Sequence, residues 1–200
     1  FAFGDTFWQQ VSGTGMGVSP APPWATIFFA LYERTLVPRW AKYVYFYRRF
    51  IDDIFCVWLC DTDPDENAKQ WSAFQAELQL WHGLTWKCTD PSDSCIFMDM
   101  VISIENNRIV TRVYEKDLNL YLYLPPNSAH SKGVGTGLIF GQVLCYRRLS
   151  TYQTDADSKI KEFHQCLLAR GHTNDSLLPL FKGAEENAMN YMARTEEDHQ

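Results

Sequence analysis

The chain has 200 residues, of which 46% are hydrophobic and 15% aromatic, and its formal net charge is −6. That much apolar material suffices for a sizeable core, so we expect a globular fold and not a disordered chain. The acidic balance excludes an evenly basic nucleic-acid-binding surface, and no apolar stretch reaches the roughly 18 residues of a membrane span.

The first informative element is a glycine-rich stretch, Gly13-Thr14-Gly15-Met16-Gly17, followed by a predicted helix. Ser19 is the expected cap and Pro20 the expected first helical residue. Glycines let a backbone approach a ligand closely, and a helix start suits an anionic group. The stretch lacks the pattern of a Walker loop or a dinucleotide fingerprint. Taken alone, it is best interpreted as a plain loop.

Two adjacent carboxylates, Asp52 and Asp53, follow in the run Arg48-Arg49-Phe50-Ile51-Asp52-Asp53. The flanking segments, 43–47 and 54–60, are rich in aromatic and β-branched residues, so we predict two strands with the carboxylates at the hairpin tip. Neighbouring carboxylates repel each other, which makes sense if divalent cations neutralise them, and hard oxygen ligands favour Mg²⁺. A polar turn without any chemistry is the alternative for this pair alone.

The remaining elements are a helix, a hairpin and a helical tail. Asp63 and Pro64 predict a helix start with Glu66 completing a capping box, and the apolar positions from Trp71 to Trp81 predict one buried face before Gly83. Residues 96–104 and 108–114 predict two strands joined by a turn at Asn106-Asn107. Residues 138–149 predict a helix, with residues 133–137 as a loop or frayed start. Residues 160–167 predict another helix that ends at Gly171, before a further helix opening at residue 175 or 176.

Read together, these segments resemble the palm of reverse transcriptases. Residues 7–21 are similar to the family's loop-helix motif, residues 25–33 to the helix between its motifs, and Phe50-Ile51-Asp52-Asp53 to its aromatic-x-Asp-Asp motif. Residues 97–102 are similar to the primer-grip strand. Residues 3–8, 121–130 and 168–172 further resemble the Penelope-like group of retroelement reverse transcriptases.

The resemblance implies an α+β fold, in which a polymerase palm-type antiparallel sheet is backed by helices and followed by a mainly helical thumb. It implies template-directed DNA synthesis from deoxynucleoside triphosphates, with an RNA template and a DNA or RNA primer as partners and without a membrane partner. Two Mg²⁺ ions, or Mn²⁺ in their place, are the implied cofactors. Asp52 and Asp53 would be the catalytic, metal-binding pair, with Asp52 as the direct ligand and Asp53 supporting metal binding or charge balance.

Other residues acquire binding roles through the same resemblance. The residues implied to lie beside the nucleotide and template are Gln10, Gly13, Met16 and Gly17. The residues implied to grip the primer end are Phe97, Met98, Asp99 and Met100.

The family's third metal-binding aspartate belongs on a strand that we expect upstream of residue 1, because Asp5 lies too close to the glycine-rich stretch to replace it. We therefore expect the C-terminal part of a polymerase core, inactive by itself. Its predicted domains are a partial palm over residues 1–118, a thumb-like helical region over 119–193 and a disordered tail over 194–200.

Charge is uneven along the chain, since residues 105–182 carry ten Lys and Arg against seven Asp and Glu. This basic excess coincides with the region implied to hold primer and template. The candidate contacts to the nucleic-acid backbone are Lys132, Arg147 and Arg148, with Lys159, Lys161 and Arg170 as further candidates. For each of them a solvated helix face is the alternative.

Three functions compete at this point. The first is the reverse transcriptase fragment, and the second is a catalytically inactive, retroelement-derived module that binds nucleic acid or protein. The third is an unrelated magnesium-dependent phosphohydrolase, for which no separate general base is found. The six cysteines show no Cys-x-x-Cys pair and the histidines no ligand spacing, so we expect free thiols in a reducing compartment and no zinc. A nuclear or cytoplasmic location without secretion is what the resemblance implies.

Overall fold

A computed structural model describes residues 2–11, 13–15 and 17–197 of the chain. It divides into two compact units, residues 1–91 and residues 92–200. Both units combine helices with small antiparallel sheets, which confirms the predicted α+β class. The division falls between Pro91 and Ser92, and Val113 packs against the helical core of the second unit.

The first unit contains two hairpins and two helices. Its elements are β1 (Ala2–Phe3), β2 (Thr6–Phe7), α1 (Ala21–Arg39), β3 (Val44–Phe50), β4 (Asp53–Trp58) and α2 (Pro64–Leu78). Strands β1 and β2 pair with each other, and β3 and β4 form a separate two-stranded antiparallel sheet. The core of this unit is formed by Phe29, Leu36, Val44, Phe74 and Leu78.

Helix α1 begins slightly later than the sequence predicts. Pro20 occupies the N-cap position without a side-chain hydrogen bond, so the predicted cap at Ser19 is wrong. Prolines in the first turn are tolerated because the N–H groups there have no helical acceptor. The glycine-rich stretch therefore enters α1 through a proline-defined start.

Helix α2 has the predicted start and an earlier end. Asp63 is the N-cap, and its side chain accepts a hydrogen bond from the Asp65 N–H at 3.0 Å. Glu66 does not close a capping box, since its carboxylate accepts from Gln70 and Lys69 instead. The helix stops at Leu78, which leaves Trp81 in the following turn, where its ring stacks on Tyr32 with centroids 5.0 Å apart.

The second unit begins with a three-stranded antiparallel sheet. Its strands are β5 (Ser94–Phe97), β6 (Met100–Glu105) and β7 (Arg108–Val113), in that order across the sheet. The predicted turn at Asn106-Asn107 is confirmed, with φ of 50° and 63°. The single strand predicted over residues 96–104 is wrong, because Met98 has φ of 54° and Phe97 pairs with Met100 across a tight turn.

Three helices complete the second unit, namely α3 (Lys132–Leu149), α4 (Gln153–Ala169) and α5 (Asn174–Glu197). The glycines at 133–137 lie inside α3 and not in a loop, and the helix packs on α5 through apolar residues from Leu138 onward. Gly171 has φ of 93° and follows the end of α4 as predicted. Helix α5 continues through Arg194, so the expected disordered tail is helical as far as Glu197. Among the described helices, none is both long and apolar enough to cross a membrane.

An extended strap, residues 117–126, connects the sheet to α3. Arg170 Nε donates to the Tyr123 carbonyl oxygen at 2.8 Å, and His172 Nε2 donates to the Leu124 carbonyl oxygen at 2.9 Å. The Tyr123 ring packs edge-on against Phe163, with centroids 4.9 Å apart. Two of the segments that resemble the Penelope-like group, 121–130 and 168–172, are thus in contact.

Candidate functional site

The two adjacent carboxylates lie at the tip of the β3–β4 hairpin, as predicted. Phe50 pairs with Asp53, which leaves Ile51 and Asp52 as the central residues of a two-residue turn. The side chains of Asp52 and Asp53 are both exposed. The hairpin tip therefore exposes two neighbouring carboxylates that could donate oxygen ligands to a metal ion.

The backbone of this turn is unusual. Ile51 has φ of 52°, whereas Asp52 does not have a positive φ, which is the pattern of a type II′ turn that normally takes glycine at its first central position. A β-branched residue in this conformation costs about 1–3 kcal/mol, and such strain collects at functional sites. The turn is held in place by contacts elsewhere in the unit.

The inner face of the hairpin packs on the two helices. Ile54, Cys56 and Trp58 lie against the core cluster that includes Phe29 and Phe74. Burial raises the pKa of the Cys56 thiol to about 11, since the thiolate would lose its hydration there. The position of the tip is therefore set by apolar packing of the strands that lead to it.

A polar network crosses the same face and joins β3 to α1. The Arg49 guanidinium donates two hydrogen bonds to the Glu33 carboxylate, from Nε to Oε1 at 2.7 Å and from Nη2 to Oε2 at 2.8 Å. The Tyr47 hydroxyl donates to the same Glu33 Oε1 at 2.7 Å. Hydrogen bonding to Glu33 raises the pKa of Arg49, and burial, followed by the Glu33 hydrogen bond, raises the pKa of Tyr47. Arg49 thus stays charged and Tyr47 stays protonated.

The network also fixes the direction of the hairpin along α1. Tyr47 reaches Glu33 in the middle of the helix, and Arg49 Nη2 also donates to the carbonyl oxygen of Thr26 in its second turn, at 2.9 Å. Strand β3 therefore runs antiparallel to α1. The hairpin tip lies toward the N-terminal end of the helix, where the helix dipole favours negatively charged groups.

The glycine-rich stretch leads into that same end of α1. Gly13 and Gly17 have φ of 73° and 84°, a conformation that a side chain would strain. The Gln10 amide nitrogen lies 3.5 Å from the position that a Cβ of Gly13 would take, so these two predicted nucleotide-site residues are neighbours. Gln10, Gly13 and Gly17 are all exposed, and Met16 lies outside the described residues.

The donor set at the tip suits part of a magnesium site. Mg²⁺ is commonly bound through one or two carboxylates, with phosphate oxygens and waters completing its coordination, and Asp52 with Asp53 provides that many. No group of three or more His, Cys, Asp or Glu side chains at metal-binding distance occurs within residues 2–11, 13–15 and 17–197. Further ligands would have to come from substrate, water or a carboxylate outside this part of the chain.

The residues predicted to grip the primer form the β5–β6 turn of the second unit. Phe97 and Met100 pair across the turn and are half-buried, while Met98 and Asp99 are exposed at its tip. The Asp99 carbonyl oxygen accepts a hydrogen bond from the Tyr114 N–H at 2.8 Å, which ties the turn to the end of β7. This turn repeats the Phe-apolar-Asp arrangement of the first hairpin, with a non-glycine residue at positive φ in the same position.

The basic residues of the second unit are placed differently from one another. Arg147 is buried and forms ion pairs with Glu185 and Asp157. It is therefore not accessible to a phosphate group, and the prediction that it contacts the nucleic-acid backbone is wrong. Arg148 is exposed, with its guanidinium carbon 5.4 Å from the centroid of the Tyr191 ring. Lys132 begins α3, and its side chain lies outside the described part of the chain.

The further basic candidates divide in the same way. Lys159 pairs with Glu115 and Glu162, and Arg170 holds the strap. Lys161 is exposed and remains a candidate. Several basic side chains of this region are therefore engaged in ion pairs and hydrogen bonds within the second unit.

Sequence reasoning did not find the Arg49–Glu33 pair. The signal was present in the alternation of strand β3, which places Tyr47 and Arg49 on one face. It was also present in Glu33, the one carboxylate of helix α1. A buried polar face on a strand opposite a single buried carboxylate predicts a hydrogen-bonded pair.

No family model, curated protein or solved structure matches this chain. Its function is therefore inferred from the geometry and chemistry of the hairpin, together with the motifs that it carries.

Proposed function

We propose that this chain is part of a reverse transcriptase and takes part in template-directed DNA synthesis by nucleotidyl transfer to a primer 3′-hydroxyl. The observation that carries the proposal is the placement of Asp52 and Asp53 at a strained hairpin tip, beside the N-terminal part of α1. The glycine-rich stretch enters the same helix end. The two carboxylates could bind the cations of a nucleoside triphosphate, and the positive end of the α1 dipole favours its phosphates.

Under this proposal, each predicted site residue has a role that follows from its position. Asp52, central in the turn, would be the direct metal ligand, and Asp53, the first residue of β4, would balance charge and support binding. Gln10, Gly13 and Gly17 would line the nucleotide, with Met16 as the fourth residue of that set. Phe97, Met98, Asp99 and Met100 would contact the primer end through the β5–β6 turn.

Two Mg²⁺ ions, when bound, would activate the primer hydroxyl and stabilise the pyrophosphate leaving group. The contribution of this chain is to hold the carboxylates in one orientation, which Ile51 and its neighbours achieve through a fixed turn. Two-metal catalysis of this kind would require a further carboxylate besides Asp52 and Asp53.

Primer extension on an RNA template tests the proposal. The parent protein should extend a primer only with Mg²⁺ or Mn²⁺, and Asp52→Asn should abolish extension while circular dichroism remains unchanged. The matched control is Asp5→Asn, a change at an exposed turn aspartate in the β1–β2 hairpin, which should extend normally. Undiminished extension by Asp52→Asn would remove the catalytic assignment. The 200-residue chain alone should show no polymerisation.

A second candidate function, a binding module without catalysis, is favoured by the outer face of the same hairpin. Tyr45, Phe46 and Phe50 are exposed there, and the Arg48 guanidinium lies 4.5 Å from the centroid of the Phe46 ring. Exposed rings beside an Arg form a stacking surface for unpaired bases. Under this alternative, Phe50→Ala weakens binding of a single-stranded RNA oligonucleotide in fluorescence anisotropy without added metal, and Asp52→Asn does not.

A further inference from the structure

Arg49 is unusual among the cationic residues of the first unit because its side chain is only 4% exposed. Besides its two bonds to Glu33, its Nη1 donates to the carbonyl oxygen of Ile51 at 2.9 Å. The guanidinium also lies over the Phe29 ring, 5.1 Å from its centroid. One side chain thus joins the middle of α1, its second turn and the turn that carries Asp52.

Stability alone does not account for this arrangement. Removing two charges from water is unfavourable, and a buried ion pair often stabilises a fold no better than apolar residues of the same size. What an Arg adds is geometry, because its planar fork donates in several fixed directions at once. The fork here orients a backbone carbonyl, and that carbonyl belongs to the strained residue of the turn.

The Ile51 carbonyl lies in the same peptide plane as the Asp52 N–H. Fixing this plane sets the direction in which the Asp52 side chain leaves the backbone. We propose that Arg49, held by Glu33, is a positioning residue that orients the Asp52-Asp53 pair for metal binding; this inference rests on the proposed function. Arg49 does not itself touch metal or nucleotide and acts through the turn.

Arg48 provides a matched control. It is the neighbouring residue of the same strand and carries the same side chain, but it is exposed on the opposite face. Its guanidinium donates to the Tyr47 carbonyl oxygen at 2.8 Å and lies over Phe46, away from Glu33 and Ile51. Replacing either Arg by Lys keeps the positive charge. Only at Arg49 does the change remove a guanidinium that bonds three partners, namely Glu33, Thr26 and Ile51.

The experiment measures two properties of the folded chain by nuclear magnetic resonance. The first is the order parameter of the Asp52 and Asp53 amides, and the second is the Mn²⁺ affinity from paramagnetic broadening of those signals. In Arg49→Lys, we expect the order parameter to fall from about 0.85 to below about 0.6. We expect the Mn²⁺ affinity to fall about tenfold or more, the usual effect of losing a partner that orients a ligand. Arg48→Lys should change neither property.

The outcomes separate this inference from the proposed function. Equal order and equal affinity in Arg49→Lys and Arg48→Lys would overturn the positioning role. Wild-type broadening that is absent, or that survives in Asp52→Asn, would contradict the metal site, and the order parameters would still decide whether Arg49 holds the turn. If Arg49→Lys does not fold, Glu33→Gln replaces it. The Gln side chain has the same shape as Glu but no charge, so it binds Arg49 more weakly. Unchanged order parameters of the Asp52 and Asp53 amides in Glu33→Gln would therefore also overturn the inference.

Discussion

Arg147 of α3 and Glu185 of α5 form a two-pronged ion pair, with Nε to Oε2 at 2.9 Å and Nη2 to Oε1 at 2.7 Å. The Arg147 side chain is 9% exposed and the Glu185 side chain 25%. A third bond, from Nη1 to the Gln153 side-chain oxygen at 2.8 Å, reaches the start of α4. All three helices of the second unit therefore meet at one guanidinium.

Arg147→Ala should lower the free energy of unfolding by about 2–4 kcal/mol, because it leaves the Glu185 carboxylate partly buried without its partner. Urea denaturation followed by circular dichroism measures this loss. Arg148→Ala, at the exposed neighbouring position, should cost no more than about 1 kcal/mol. Equal losses in the two variants would show that the ion pair does not hold the helices together.

Ile51→Gly should raise the free energy of unfolding by about 1 kcal/mol. Glycine adopts the left-handed conformation without strain, and this gain of about 1–3 kcal/mol exceeds the roughly 0.5–1 kcal/mol lost to a more flexible unfolded chain. Asn106→Gly is the matched control, since Asn tolerates the same conformation at φ of 50° and should change stability little. A destabilised Ile51→Gly variant would mean that the Ile51 side chain contributes packing that outweighs the backbone strain.

Cys56 should resist alkylation at pH 8, whereas exposed Cys60 should react. The raised pKa of Cys56, about 11, keeps its thiol protonated there, and the thiolate is the reactive form. Mass spectrometry after timed treatment with iodoacetamide distinguishes the two positions, and labelling in strong denaturant should make their rates similar. Faster labelling of Cys56 in the folded protein would contradict its placement against the core cluster.

Glu115→Gln should flatten the dependence of stability on acid pH. Burial alone would raise the pKa of Glu115, but hydrogen bonds from Tyr121 at 2.5 Å and Lys159 at 3.0 Å outweigh it and lower that pKa. A carboxyl whose pKa is lower in the folded state stabilises the protein above its unfolded pKa of about 4.3, and this stabilisation is lost as pH falls through the lower folded value.

Urea denaturation of the wild type and of Glu115→Gln between pH 3 and pH 7 measures the effect. The variant should lose stability at pH 7, by about 1–3 kcal/mol, and converge on the wild type below about pH 4. Glu162→Gln removes the more exposed partner of Lys159 and should change the profile less. A constant difference across the whole range would show that Glu115 contributes through packing and not through its charge.

Local patterns in the sequence predict much of this fold. The Asp63 cap, the Asn106-Asn107 turn, the end of α4 near Gly171 and the Asp52-Asp53 hairpin depend on neighbouring residues, so they are readable without coordinates. The helix at the glycines of 133–137 is not readable in this way. Its intrinsic propensity is poor, and packing of α3 on α5 decides the outcome.

Contacts between distant residues account for the rest. The alternation of β3 places Arg49 on one face with Tyr47, but the packing of β3 on α1 decides that its partner is Glu33, 16 positions earlier. Nothing near Arg147 specifies Glu185, 38 positions later. The turn at Met98 is not predictable from the sequence, because Met rarely has a positive φ and residues 96–104 have the pattern of one strand. The candidate site was thus predictable as a pair of acids at a tip, and the Arg that holds this tip was not.

The two hydrogen bonds by which Arg170 and His172 hold the strap influence the order of folding. The two carbonyl oxygens that accept these bonds lie 47 and 48 positions earlier in the chain, so we expect this long loop to close after α3 and α4, which lie between its ends, have formed. Leu118, Leu120 and Leu122 protrude from the strap and offer cleavage sites for a protease. During refolding, protection of this segment from chymotrypsin should therefore appear after helical circular dichroism has recovered.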